Sequence, residues 1–414
     1  ISLALDTAAY GAGRTIDFET NDNAMITRIS ADFGSVGVVS AAYSYDPAYR
    51  PATRTLGNGV VETCAYDARN LLTSKTATKE GALIHGNEYG FNEASNRTFE
   101  RYTYQLGGGT ERTWVNVSEY DALYQATRTK YRVPVASGTD PPAYDQIGTF
   151  ERQQTFDLDL LYNRKSVTED GALTAYNGNY TPDPFNRIQT IASPSDATPR
   201  NLAYDDNGNL TTDQFGRKFA WTPEGRLEAV RDEQENLIAV YLYDAQGLRL
   251  AKVLPDGSRT SYYYQGSEVY LEAGQDGAPT REFLIGNTLD HPIAVIQNDA
   301  VQYYHQMIFG TVGALTDHAG NVQTRYEYDL YGAFTIHGPD GTDLGMQPGV
   351  SDQPYYFTGR RYDHETGLFY NREALNRLGY DGIPETWAEF EVMLGRLGEA
   401  GYIPMATAIY GLGS

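Results

Sequence analysis

The chain has one cysteine, Cys64, so no disulfide can form within it, and burial and strand pairing must supply its stability. Basic residues are few: 32 Lys and Arg stand against 54 Asp and Glu, a formal charge of −22. That balance argues against a nucleic-acid binder, which needs a basic face for the phosphates, and against docking on an anionic membrane. It fits a soluble extracellular surface, a calcium-rich setting or the lining of a cavity for a basic cargo, and charge alone does not separate these. No apolar run of about 18 residues exists that would cross a membrane as a helix. No leader peptide precedes Ile1 and no Met starts the chain, so the expectation is a processed or truncated piece whose export signal lies upstream. Disorder is disfavoured, because 41 % hydrophobic and 13 % aromatic residues are enough to bury a core.

What the chain holds in abundance is tyrosine, 34 residues beside 15 Phe and 3 Trp, together with 42 glycines. Tyrosine favours strands while keeping a polar tip, and glycine-punctuated strands imply many short hairpins. An aromatic followed by Asp recurs at Tyr45-Asp46, Tyr66-Asp67, Tyr120-Asp121, Tyr204-Asp205, Tyr243-Asp244, Tyr328-Asp329 and Tyr362-Asp363. Weaker copies stand at Phe91-Asn92, Phe156-Asp157 and Trp221-Thr222. The 21 residues from Tyr45 to Tyr66 and the 22 from Trp221 to Tyr243 match one hairpin of two strands and two turns. Between Phe91 and Tyr204 the interval loosens, and insertions are expected there in loops. The clearest stretch, 238–285, reads as a meander. IAVYLY leads to a turn at 244–247, then to LRLAKVL with Leu248 and Leu250 on one face and Arg249 and Ala251 on the other, then to a second turn at 255–258. In each unit the Asp carboxylate is expected to accept from backbone N–H groups two residues on, and the Tyr rings to stack as a ladder in which each covers its neighbour. A lone hairpin is not stable in water, so the units must join in one continuous all-β sheet.

The segments YDAQGLRLAKVLPDGSRTSYYYQG and YDDNGNLTTDQFGRKFAWTPEGRLEAV resemble the YD repeats of the RHS family, which includes teneurins and the shell components of insecticidal toxin complexes. Downstream, REFLIGNTLDHPIAVI, YYHQMIFGTVGALTDHAGNVQTRYEYDLYGAF and YYFTGRRYDHETGLFYNR resemble the RHS-repeat-associated core. The resemblance covers roughly residues 40–372 and is specific in its second half. It implies a long β-sheet spiralling into a hollow shell which, in toxin-bearing members, encloses a C-terminal polypeptide cargo. It also divides the chain into a YD-repeat region 1–280, a core-like region 281–372 and a tail 373–414. Two departures limit what carries over. The core usually shows a His-Thr-Asp-His-Leu-Gly string, whereas here His305 is followed by Gln306, Met307, Ile308, Phe309 and Gly310. Members that cut themselves do so near an Asp-Pro-x-Gly segment after the core, and nothing after Arg372 matches it, so no self-cleavage site is assigned.

After Tyr370 the spacing turns helical. Thr386 and Glu389 form a capping box, Trp387, Phe390, Leu394 and Leu397 fall on one face, and Gly401 is placed to end the helix. The 37 residues from Tyr370 to Ala406 resemble a segment of the sugar-binding proteins of bacterial ABC importers, far too little for a two-lobed domain. A helix of this length needs a surface to bury its apolar face, so either it docks on the shell, where Tyr355, Tyr356, Phe357, Leu368 and Phe369 offer an apolar surface, or it swings on a hinge near Arg372 with that face exposed or used for association.

Chemistry-bearing motifs are sparse. Asp205-Asp206-Asn207-Gly208-Asn209 has its Gly fourth rather than sixth for a helix-flanked calcium loop, so a hairpin turn is expected. The six histidines, His85, His291, His305, His318, His337 and His364, show no HExxH or i,i+4 pairing, and structural hydrogen bonds are expected of His305 and His318. Neither a phosphate loop nor a Gly-x-Ser-x-Gly elbow is present. The function expected is therefore structural: a shell segment of a secreted or surface bacterial RHS protein, without catalytic, metal or cofactor residues, scaffolding a C-terminal toxin or other polypeptide partner. Two further readings stay open, a carbohydrate-binding adhesion module that takes a cell-surface glycan on its aromatic surface, and a glycosidase-like enzyme built from paired carboxylates.

Overall fold

The computed structural model describes residues 2–5, 14–106, 110–135, 139–161, 163–170, 178–192, 200–266, 268–286, 290–345 and 353–370. Sixteen strands from Ser2–Leu5 to Arg200–Asn201 form one sheet, and fourteen from Ala203–Tyr204 to Phe334–His337 form a second. Within each sheet every strand pairs with its neighbours in sequence, as Val38–Tyr45 does with Pro51–Leu56 and Leu237–Tyr243 with Arg249–Val253, both antiparallel. The break between the sheets is slight. Arg200–Asn201 pairs with Ile188–Ala192, Ala203–Tyr204 pairs with Leu210–Thr212, and the N–H of Leu202 donates to Gln189 O at 2.9 Å. The chain is thus one long meander whose turns alternate between two edges. Among the described residues the helical elements are three-residue 3-10 turns such as Gly34–Val36. The expected helix at 386–399 lies outside the described residues.

The ribbon folds back on itself. Ile29, Ala41, Leu56 and Val60 of the first sheet pack with Leu284, Ile293, Ile296 and Tyr303 of the second. Farther along, Tyr102, Tyr104 and Trp114 join Phe283, Tyr304, Tyr326 and Ile336. Fully burying a side chain of this size contributes about 1.5–3 kcal/mol, so the apolar layer between the sheets is the main source of stability. Alternation along 249–253 holds as expected, and the structure adds which face is inside: Arg249 and Ala251 are buried while Leu250 and Leu242 are exposed. The apolar residues thus point outward and an arginine inward, because the inner face here meets a carboxylate.

Two expectations are corrected. Phe156-Asp157 is not a repeat turn, since Asp157 lies inside the strand Arg152–Leu158 and the turn is built on Asp159, whose Oδ1 accepts from Leu161 N and Asn163 N. Counting back from the next turn, not the nearest aromatic, gives the correct position. Tyr355 and Tyr356 are no outer seat for a helix either: both are fully buried, ringed by Phe283, Tyr304, Tyr326 and Phe334.

Candidate functional site

All the Tyr-Asp turns within the two sheets fall on one edge of the ribbon, and each is made the same way. Asp46 N–H donates to Arg50 O and Tyr49 N–H to Asp46 O, while Asp46 Oδ1 accepts from Ala48 N at 2.9 Å and Arg50 N at 3.0 Å. The carboxylate therefore holds the N–H groups two and four residues on, where only the first was expected. Asp67, Asp121, Asp205 and Asp329 repeat both bonds, and Asp244 Oδ1 accepts from Leu248 N. The fourth residue of each turn adopts positive φ, a demand met by Gly208 and Gly247 at no steric cost but by Tyr49, Asn70 and Tyr124 in the first sheet. The looser interval between Phe91 and Tyr204 comes from the long strands Arg97–Gln105 and Glu111–Tyr120 and from the connection between Val133 and Arg152. The same turn recurs on the opposite edge at Asp213 and Asp317, where no aromatic precedes it.

Each tyrosine ties its hairpin to the one before. The phenol of Tyr45 donates to Ile26 O, Tyr66 to Pro51 O, Tyr120 to Arg97 O, Tyr204 to Ile188 O, Tyr243 to Leu227 O and Tyr328 to Val312 O, at 2.6–3.0 Å. Trp221 Nε1 does the same to Leu210 O, and Tyr264, which has no Asp after it, to Arg249 O. Equivalent rings one hairpin apart are about 10 Å apart, two strand spacings, too far for the expected direct stack. Guanidinium groups occupy that space instead: Arg50 lies 4.6 Å from the Tyr66 ring centre, Arg187 4.9 Å from Tyr204 and Arg226 5.8 Å from Tyr243.

A polar seam crosses the sheet-to-sheet layer. Glu62, 1 % exposed, takes two bonds from Arg54 at 2.8 and 2.9 Å and a Lys75 contact at 3.0 Å, and its Oε1 is 3.0 Å from His305 Nδ1. His305 Nε2 sits 2.8 Å from Thr316 Oγ1, and Arg54 also donates across the layer to Gln306 Oε1 and Tyr304 O. Burial alone would raise the Glu62 carboxyl, but the charges of Arg54 and Lys75 and the His305 hydrogen bond hold it well below the usual carboxylate range. Burial pushes the His305 imidazole down despite Glu62 beside it. Further cross-sheet bonds run from Arg325 to Ile84 O and Gln105 O, both 2.8 Å, from Arg132 to Glu327, and from Asn58 to Thr316 Oγ1 and Asp317 O.

The segment 353–370 runs along the inward face of the second sheet. Tyr362 packs edge-on against Phe334, and Asp363 belongs to the small hairpin Arg361–Asp363 with Leu368–Tyr370, apart from the turn-edge series. Asp363 Oδ2 accepts from Arg249 at 2.7 Å, Lys252 contacts Glu365 at 2.8 Å, and Arg361 joins Arg281 on Glu272. Burial would raise Asp363, but Arg249 and Lys252 outweigh it and lower it; burial and the neighbouring Asp363 charge raise Glu365. The pairs made by Arg361, Asp363 and Glu365 span 89 to 114 residues of chain and carry no local sequence signal. Among the described residues no group of three His, Cys, Asp or Glu is placed to hold a metal, and no helix is long and apolar enough to cross a membrane. A polar cleft of ≈ 260 Å³, counting its open mouth, lies between Arg97, Ser118, Tyr131 and Asp329. It is too small for a polypeptide.

No family model matches the chain. It is 30 % identical over 221 residues to the tRNA nuclease WapA of Bacillus subtilis, covering 52 % of this chain and 9 % of that protein. It is 24 % identical over 404 residues to the toxin subunit YenC1 of Yersinia entomophaga, covering 83 % of this chain and 39 % of that subunit. This chain therefore spans well under half the length of these relatives. Among solved structures, TcdB2-TccC3 with Cdc42 superposes with a TM-score of 0.66 at 16 % identity over 86 % of this chain and 18 % of that one. The Photorhabdus luminescens Tc holotoxin pore gives a TM-score of 0.65 at 17 % identity over 89 % of this chain and 19 % of that one. The repeated Tyr-Asp turns, the meander and these likenesses together make the chain similar to the β-shell proteins of the RHS/YD-repeat family.

Proposed function

We propose that this segment is wall and anchor for a polypeptide cargo carried at the C-terminal end of a longer secreted or surface bacterial toxin, and is not itself an enzyme. One observation carries the reading. The chain from Gln353 to Phe369 lies against the inward face of the second sheet, tied to it through Arg249, Lys252 and Glu272, which supports a cargo joined to the shell at that face. The names of the relatives, a nuclease and a toxin subunit, are consistent with activity residing outside the matched residues. We further propose that 281–372 acts as the core-like anchoring region, 1–280 as wall and 373–414 as the start of the enclosed part. Limited proteolysis of the full chain tests this. Residues after Arg372 should resist cleavage while the sheets stay folded and be lost only as the sheets unfold. Rapid trimming between Arg372 and Glu385 with the sheets intact would overturn enclosure.

A further inference from the structure

We propose that the polar seam between the two sheets is an acid-opened latch, in which a proton taken up by His85 separates the strand Ala82–Phe91 from the second sheet. His85 is 5 % exposed, and neither of its ring nitrogens has a hydrogen-bond partner of good geometry. Asn87, two residues along the same strand and 1 % exposed, is the polar side chain beside the imidazole and raises it slightly, but neither of its amide atoms makes a hydrogen bond of good geometry. Across the seam the imidazole abuts backbone: a Cβ placed on Gly313 would lie 2.7 Å from His85 Nε2, so a counter-ion has no room.

The charged groups around His85 decide the direction. Arg325, on Val322–Tyr328, faces it and holds the carbonyl of Ile84, the residue just before it. His305, on Ala300–Gln306, faces it from a second strand, and Glu62, on Val61–Tyr66, is the carboxylate near it but is already held by Arg54, Lys75 and His305. A proton on His85 therefore puts a second cation beside the Arg325 guanidinium, with Glu62 shared among three other partners. Burial, reinforced by Arg325 and His305, keeps the folded imidazole down at about 3 against an ordinary value of 6.5. Opening restores the ordinary value, so the open form gains protons as pH falls below 6.5, and on the order of 100-fold in population by pH 4.5 from this one group. Glu62 stays ionised through that window, so its loss does not account for the effect.

Hydrogen exchange of the full chain from pH 7.5 to 4.5, corrected for intrinsic rates, reads the opening. Amides of Ala82–Phe91 and Val322–Tyr328 should open on the order of 100-fold more at the acid end, while Lys218–Trp221 and Leu227–Arg231, away from the seam, keep their protection. His85→Gln should remove the part of that rise due to His85, leaving the part carried by His305, whose imidazole burial also pushes down. Arg325→Gln, which removes the facing cation together with its bonds to Ile84 O and Gln105 O, should raise opening at every pH while keeping the acid rise, because that rise is set by the ordinary value of 6.5 in the open form. Retention of the full acid dependence by His85→Gln, loss of the acid rise in Arg325→Gln, or simultaneous opening of both regions would each overturn the latch; if His85→Gln does not fold, His85→Leu takes its place. Because the readout is strand protection, it stands or falls independently of whether the shell encloses a cargo.

Discussion

Replacing Glu62 by alanine would leave Arg54 and Lys75 facing a buried site without their common acceptor. The Arg54 and Glu62 side chains are only 6 % and 1 % exposed, so solvent offers little screening. Removing one member of such a buried pair costs about 3–5 kcal/mol, because the surviving charge keeps its desolvation penalty. Against a total of about 5–15 kcal/mol for a typical domain, that is a large share. Replacing both partners with apolar groups of similar volume, Arg54→Met with Glu62→Leu, should recover part of the loss, since Arg54 is then no longer buried alone while Lys75 still lacks its acceptor. Urea unfolding followed by tyrosine fluorescence and by circular dichroism measures the difference. Because folding depresses the Glu62 carboxyl, its contribution is present above the ordinary carboxyl value of 4.5 and is lost as pH falls through the folded value. The gap between wild type and Glu62→Ala should thus hold from pH 8 to 5 and narrow in stronger acid. A loss below about 1 kcal/mol at pH 7 would mean that the seam is solvated and that the two sheets do not close as described.

The hairpin ties can be tested at Tyr243, whose phenol donates to Leu227 O at 2.8 Å. Tyr243→Phe should cost about 1 kcal/mol and Asp244→Ala a similar amount, each through one lost hydrogen bond, with Tyr243→Ala reaching about 3 kcal/mol as ring packing goes too; equal, negligible effects in urea unfolding would show that the Tyr-Asp pair is not structural. Tyr124 occupies a left-handed turn position at φ 64° and is 65 % exposed, so Tyr124→Gly should raise stability by about 0.5–1 kcal/mol, and a loss instead would reveal a contact made by its ring.

The turns were legible in the sequence because everything that makes them lies within five residues. Asp46 reaches Ala48 and Arg50, the backbone closes on itself, and one residue takes positive φ, so a repeated short string reports a repeated structure. The reading failed where the same physics used different letters. The turn at Asp232 has Glu235 in the positive-φ place that glycine marks elsewhere, and Asp159 follows a leucine. Alternation showed that Leu248 and Leu250 oppose Arg249 and Ala251, but a period of two is silent about which face is inside.

That choice belonged to tertiary structure. Arg249 turns inward because Asp363, 114 residues later, comes to lie beneath it, and Glu62 is buried because His305, 243 residues away, crosses over it when the ribbon folds back. By itself the sequence determined the meander and its Tyr-Asp edge, since backbone geometry and side-chain-to-backbone bonds act over a few residues. Only the return of the second sheet onto the first decided the seam, the inward anchor and the burial of Tyr355 and Tyr356, because a charge can leave water only where a distant partner is waiting for it.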